Sequence, residues 1–333
     1  MYSSLKGKHL LNTQDWTLEE LEQLLAVAQR LKQERHLGIY HDQLLRAKTF
    51  FMLFFEESTR TRNAFEAGIH QLGGHAHFLT PSATQIDHGE TAKETVQVLS
   101  RYGEGMGIRK TYGPGQAYMR EIAKWSSIPV VNMQCEDYHP TQVLADIMTI
   151  KEKFQNNLKN RKIVVSWTSA PNYIRPLSMA QSLVLAMPRF GLDVTLAHPK
   201  EFTLKPGIME QAKRNALLAG TKFEVVDDME AACEGADIVY AKGWGPIMHT
   251  EDEAEGIVII DKYREHGSQK WVVDQKKMQI AKPESIYMHC MPFDRGVEVT
   301  DEVVDGPQSV VIDEAENRLH IMKAIMACTM AGI

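Results

Sequence analysis

The sequence predicts two α/β domains, each built on a parallel sheet. Short apolar runs bounded by turn residues alternate with stretches of helical periodicity, the pattern of strand–helix–strand units covered on both sheet faces. The alternation occurs twice, with a polar break between Lys151 and Arg161 that contains Asn156 and Asn157. A chain of 333 residues is also longer than one hydrophobic core comfortably serves. The expected division is therefore 1–150 and 151–313, each a doubly wound sheet, with the last stretch, 314–333, helical.

Each element has a local reason. Thr17-Leu18-Glu19-Glu20 is a capping box, and Leu18, Leu21, Leu24 or Leu25, Ala28 and Leu31 form one apolar helix face. Phe50 to Phe55 is an unbroken apolar run of strand length, followed by Glu56-Glu57 and Ser58-Thr59-Arg60-Thr61-Arg62. Phe65, Gly68, Ile69 and Leu72 then recur at helical spacing, and Gly73-Gly74 supplies a stop. His75 to Leu79 reads as a strand, Pro81 to Thr91 as a loop entering a helix near Glu90, and Gly105 to Arg109 as a strand. Gly113-Pro114-Gly115 marks a turn, Ile128 to Asn132 a buried strand, and His139-Pro140 the start of a helix with Val143, Leu144, Ile147, Ile150 and Phe154 on one side.

The second half restarts with a strand at Lys162 to Trp167, a proline-bearing loop at Ser169 to Pro176 and a helix at Leu177 to Phe190. Strands follow at Leu192 to Ala197, Lys222 to Val226, Asp237 to Ala241, Trp271 to Val273 and Ile286 to Cys290. Gly207 to Ala219 and Met229 to Cys233 read as helices between them.

Composition narrows the function class. Hydrophobic residues at 44% and charged residues at 24% are ordinary for a globular enzyme. A formal net charge of −6 with no basic tract argues against a nucleic-acid partner. Cys135, Cys233, Cys290 and Cys328 lie far apart, with no Cys-x-x-Cys pair for zinc or a redox dithiol. No apolar run has the length of a membrane span and no signal-peptide core opens the chain, so the expectation is a cytoplasmic enzyme with no membrane partner. His70, His75 and His77 lack a carboxylate partner, so no metal is expected. Gly103-x-Gly105-x-Gly107 lacks the strand-before, helix-after context of a dinucleotide fingerprint, and no P-loop is present.

Residues able to do chemistry cluster at strand ends. In open parallel sheets ligands bind outside the carboxyl ends of strands. That rule gathers Ser58 to Arg62, Arg109, Asn132 with His139, Trp167, Lys242 to Gly245, and His289-Cys290 into one candidate site. Ser58 to Arg62 place hydroxyls and guanidiniums at a helix start, where backbone N–H groups and the helix dipole favour a phosphate. Each has a plainer reading too: Ser58 as a helix cap, Arg109 as a surface arginine, His139 as a cap before Pro140, Cys290 as inert packing.

The motifs in order give a more specific reading. Ser58-Thr59-Arg60-Thr61-Arg62, Gly89-Glu90-Thr91, His139-Pro140-Thr141-Gln142, His289-Cys290-Met291-Pro292 and the run from Asp313 to His320 together resemble the aspartate/ornithine carbamoyltransferase family from about Lys8 to the C-terminus. The resemblance implies a carbamoyl-phosphate domain over 1–150, an acceptor domain over 151–313, and a final helix, 314–333, that packs back on the first domain. It implies a homotrimer with shared sites, transfer of the carbamoyl group to a small amine acceptor, and no cofactor. Ser58, Thr59, Arg60 and Thr61 would hold the phosphate. Arg109, His139 and Gln142 would position the carbamoyl group, with Arg318 and Cys290 around its carbonyl oxygen. His88 would reach the neighbouring subunit's site.

For the acceptor, the resemblance implies Asn132, Trp167, Lys242, Cys290, Met291 and Arg295. Ornithine enzymes carry an aspartate and Ser-Met-Gly after the strand that ends here at Ala241, whereas this chain has Lys242-Gly243-Trp244-Gly245. Lys242 would repel a free α-ammonium. Together with the Trp167 to Pro176 loop it resembles the knotted branch, which includes N-acetylornithine and N-succinylornithine carbamoyltransferases, and it implies a trefoil knot in the second domain. The segment Pro292 to Glu298 resembles the ornithine enzymes, with Glu298 where acetylornithine enzymes show a lysine. The expected acceptor is thus an N-acylated ornithine or another diamino-acid derivative. The alternatives are ornithine itself, or a catalytically silent paralogue that binds carbamoyl phosphate.

Overall fold

The computed structural model describes residues 4–266 and 268–332. They form two compact units, one running to Met148 and resuming at Ala315, the other from Thr149 to Glu314.

The first unit begins with α1 (Leu18–His36), whose Thr17–Glu20 capping box is present in both directions. Its sheet comprises β1 (Thr49–Phe54), β2 (His75–Leu79), β3 (Gly105–Lys110) and β4 (Val130–Cys135), in the order β2-β1-β3-β4. All three pairings are parallel. Helices α2 (Thr59–Gln71), α3 (Ala92–Leu99), α4 (Gly115–Trp125) and α5 (Pro140–Lys153) alternate with the strands. Phe50 to Phe54 are all buried, and Phe50 stacks on Phe65 of α2 at 5.4 Å between ring centres. Burial of a side chain of this size is worth about 1.5–3 kcal/mol as an upper estimate. The glycine stop after α2 is a close approach: Gly73 has φ +87°, and a Cβ there would lie 1.8 Å from the Asp42 carbonyl oxygen.

The second unit holds β5 (Lys162–Thr168), β6 (Asp193–Ala197), β7 (Phe223–Val226), β8 (Ile238–Gly243) and β9 (Ile286–Met288), ordered β7-β6-β5-β8-β9 and parallel throughout. Its helices are α6 (Ser178–Ala186), α7 (Pro206–Ala219), α8 (Met229–Cys233), α9 (Glu253–His266), α10 (Gln275–Ile280) and α11 (Asp301–Val304). The last helix, α12 (Val311–Met326), continues into a π-helical turn at Ala327–Ala331. No helix of the described residues is long and apolar enough to cross a membrane.

Two element expectations are corrected. Trp271 to Val273 is not a strand: a 3-10 turn ends at Trp271, and Val273 makes a single bridge to Val299. The strand expected to end at Asn132 runs on to Cys135, because polar Asn132 and Gln134 continue the ladder with β3.

Both sheets have the α/β order in which strand sequence reverses direction at one crevice. That point falls between β1 and β3 in the first sheet and between β5 and β8 in the second. The carboxyl ends of these strands are where a doubly wound sheet presents a ligand site.

Candidate active site

At the first crevice, β1 hands over to α2 through Glu56 and Glu57. The Glu56 carboxylate accepts the Thr111 N–H at 2.9 Å and so ties the segment after β3 to the segment after β1. Ser58 is the N-cap of α2, its Oγ accepting the Thr61 N–H at 3.3 Å. The capping reading of Ser58 is therefore correct, and a capped helix start is also where backbone N–H groups and the helix dipole favour an anion. Arg60 is half-buried and Thr61 buried, while Thr59 is exposed. Arg62 turns away, its guanidinium 3.7 Å from the centre of the Phe78 ring.

The other donors converge on the same place. Arg318 of α12 donates from Nη2 to Thr61 Oγ1 at 2.5 Å, a buried bond between residues 257 positions apart. Arg109, near the end of β3, donates from Nη1 to Gln134 Oε1 at 2.6 Å. His139 is buried beside Thr141 Oγ1, 3.3 Å from its Nδ1. Burial, and then the positive charge of Arg318, Arg109 and Arg60, holds the His139 imidazolium far below its ordinary range. Three guanidiniums thus surround a neutral imidazole, which can hydrogen-bond to a carbamoyl group without adding charge. Gln142, one turn into α5, donates to Asp146 Oδ1 at 2.8 Å. Ser58, Arg60, Thr61, Arg109, His139, Gln142 and Arg318 belong to one unit and one crevice. His88 lies apart from them, exposed on a 3-10 turn at Ile86–His88.

Asn132 does not join this group. It is buried in mid-strand, and its Nδ2 donates to the Leu11 carbonyl at 2.8 Å, so it fastens the N-terminal segment to β4.

At the second crevice the centre is Glu298, a residue the sequence reading noted but did not assign. Its carboxylate is fully buried. Oε1 accepts from Lys242 Nζ at 3.0 Å, the Gly243 N–H at 2.8 Å and Thr168 Oγ1 at 3.3 Å, while Oε2 accepts the Asp294 N–H at 2.9 Å. Burial alone would raise its pKa, but Lys242, His289 and the Gly243 N–H outweigh it and keep the carboxylate ionised. His289 sits 3.5 Å from the same oxygen through Nε2 and accepts the Met291 N–H on Nδ1 at 2.8 Å. Nδ1 therefore carries no proton. Burial and Lys242 push the His289 pKa down to about 4.

Three expectations at this crevice change. Lys242 does not offer a free charge, because Glu298 neutralises it. Trp167 is a core residue: it is fully buried, donates from Nε1 to the Trp244 carbonyl at 2.9 Å and packs on Phe202 at 4.1 Å between ring centres. Arg295 is exposed and committed to Asp301 and Asp305, at 2.5 and 2.7 Å from Nη1. Cys290 is half-buried with no disulfide, and Met291 holds φ +52° just before a cis Met291–Pro292 bond. The Lys242–Gly245 element crosses the proline loop closely: the Gly245 N–H donates to the Arg175 carbonyl at 3.0 Å, and a Cβ on Gly245 would meet the Tyr173 carbonyl oxygen at 1.7 Å.

Known proteins resemble this chain along nearly its whole length. Residues 8–152 match the profile of the aspartate/ornithine carbamoyltransferase carbamoyl-P binding domain, and residues 176–329 match that of the Asp/Orn binding domain. The ornithine carbamoyltransferase of Caldicellulosiruptor saccharolyticus is 39% identical over 98% of this chain and 99% of its own. That of Thermococcus kodakarensis is 39% identical over 100% and 99%. Among solved structures, the Pyrococcus furiosus ornithine carbamoyltransferase superposes with a TM-score of 0.88 at 37% identity, covering 100% of both chains. An acetylornithine transcarbamylase complexed with acetylcitrulline gives 0.87 at 34% identity, covering 97% of this chain and 99% of that one.

Proposed function

The chain belongs to the aspartate/ornithine carbamoyltransferase family, and from that premise we propose that it carbamoylates the side-chain amine of a small diamino-acid derivative lacking a free α-ammonium, such as an N-acylated ornithine. One observation carries the acceptor reading. Glu298, the buried carboxylate at the β5/β8 crevice, already accepts four hydrogen bonds and cancels the charge of Lys242. A free α-ammonium entering there would have to compete with Lys242 for that carboxylate.

The roles follow from the chemistry. Ser58, Thr59, Arg60 and Thr61 take the phosphate of carbamoyl phosphate at the start of α2, where backbone N–H groups and guanidinium favour an oxyanion. Arg109, His139, Gln142 and Arg318 hold the carbamoyl group, and Cys290 and Met291 serve the acceptor. The neutral amine attacks the carbonyl carbon and an N–C bond forms. Charge develops on the carbonyl oxygen, and preorganised donors stabilise it. The C–O bond to phosphate then breaks with its electron pair, and the leaving phosphate takes the amine's proton. Holding the two reactants together supplies much of the remaining acceleration. We assign His88 to the site of a neighbouring subunit in a homotrimer, and the enzyme to the cytoplasm.

The same ion pair also leaves room for a second reading, ornithine itself. Because Glu298 neutralises Lys242, repulsion of an α-ammonium is weaker than a free lysine would impose, and the curated relatives above are named ornithine carbamoyltransferases. A ureido-product assay over ornithine, N-acetylornithine, N-succinylornithine and other diamino acids separates the two. An acylated acceptor should give the highest kcat/KM. Ornithine as the best acceptor overturns the first reading, and carbamoyl-phosphate binding without turnover on any amine overturns both.

A further inference from the structure

A second cavity lies in the first unit, built by residues the carbamoyl-transfer site does not use. It measures about 360 Å³ and opens where the end of α1, the 39–42 turn, the end of α2 and α12 meet. Two cations line it, Arg35 and Lys323. Lys323 is buried to 1% exposure, and its Nζ donates to His41 Nδ1 at 3.3 Å. The other nitrogen of that imidazole faces Glu34 at 2.8 Å, so the nearest acid is consumed one step away from the lysine. Neighbouring Lys32 is balanced by Glu316 at 3.7 Å and donates to Asn317 at 2.7 Å. Among the described residues Arg35 and Lys323 form no ion pair, and burial and then Arg35 push the Lys323 pKa down to about 8. The cavity therefore presents positive charge that a carboxylate would relieve.

The same lining also holds groups of complementary character: Asp42, and Gln71 with a buried Oε1 that has no hydrogen-bond partner. A buried acceptor left in that state costs about 1–3 kcal/mol until a donor arrives. Ile39, half-exposed, and Tyr40 add an apolar rim. We propose that this cavity binds an α-amino acid with an aliphatic side chain, its carboxylate between Arg35 and Lys323 and its ammonium against Asp42 and Gln71 Oε1. Lys323 follows Arg318 by five residues on α12, about 140° around the helix, so the two face different sites. Occupancy of one is thus linked to the other through a single rigid element, which suits a regulatory ligand.

Calorimetry on the full chain tests this with L-leucine, 4-methylpentanoate, isoamylamine and inorganic phosphate as probes. L-leucine should bind, with each of the other three at least tenfold weaker. Arg35→Ala, an exposed position, and Gln71→Leu, a half-buried one, should each weaken leucine tenfold or more while carbamoyl-transfer turnover without leucine is retained. No leucine binding to the wild type overturns the proposal. Equal binding of phosphate or of the deaminated acid overturns the amino-acid assignment, and leucine binding unchanged in both variants places it elsewhere.

Discussion

Replacing Glu298 by glutamine preserves volume and removes one charge from the second crevice. Lys242, a residue 7% exposed, then has no counter-ion at 3.0 Å. Breaking a buried pair from one side costs about 3–5 kcal/mol, because the surviving charge stays desolvated. Glutamine can keep one oxygen toward Lys242 and the Gly243 N–H, but its NH₂ then faces the Asp294 N–H, donor against donor. Lys242→Met should cost about 3 kcal/mol, since Glu298 retains its two N–H donors and the Thr168 hydroxyl. The double variant leaves neither charge stranded, so its loss should fall short of the sum of the two single losses by at least about 1.5 kcal/mol. Urea unfolding followed by tryptophan fluorescence reads this directly, because Trp167, Trp244 and Trp271 are all buried in the second unit. Single variants within about 0.5 kcal/mol of wild type, or additive losses, would refute the claim that Lys242 and Glu298 neutralise each other.

Two further predictions concern proton linkage and backbone approach. The folded pKa values of His139, His289 and His320 are all depressed, the last two to about 4 and about 3, chiefly by burial. Below pH 6.5 the unfolded chain takes up protons that the native state refuses, so stability falls as pH is lowered from about 6.5 toward 4, by roughly 3 kcal/mol for His289 alone. Glu298 has the opposite kind of partner but the same sign: its contribution is present above the unfolded carboxylate pKa and is lost as pH falls below it. Calorimetry should show a melting temperature lower by roughly 4 °C or more at pH 5 than at pH 7.5, and an equal or higher value would contradict the assigned protonation states. Gly245→Ala puts a Cβ 1.7 Å from the Tyr173 carbonyl oxygen, a backbone atom that cannot swing aside. It should cost about 3 kcal/mol and reduce activity by displacing the proline loop; wild-type stability would show that this crossing is loosely packed.

The alternating strands and helices were legible because buried strands and amphipathic helices differ in period and length. The rule that ligands sit at strand ends singled out Arg109 and Lys242 without any knowledge of contacts, and both do lie near the ends of β3 and β8. The differences arise in distinct ways. Asn132 looked like a strand-end residue because the apolar run stops there, yet the ladder continues through Gln134 to Cys135. Trp167 occupies the penultimate position of β5 with its ring turned into the core against Phe202, and sequence does not show which way a side chain points there. Glu298 was passed over because its partner Lys242 is 56 residues earlier, and only the fold brings the two charges together. α9 left no reading at all, since Glu253 to His266 carries apolar residues without a single buried stripe; of them Ile260 is buried while Ile257 and Val258 stay exposed.

The central claim is that donor recognition resides at the start of α2 and is separable from acceptor recognition at Lys242 and Glu298. Calorimetric titration of carbamoyl phosphate into wild type, Arg60→Ala and Lys242→Met tests it most directly. Loss of a charge-assisted bond of about 1.5–3 kcal/mol predicts binding roughly 10- to 150-fold weaker for Arg60→Ala, with Lys242→Met within about twofold of wild type. Unchanged affinity in Arg60→Ala, or an equal loss in both variants, would contradict it.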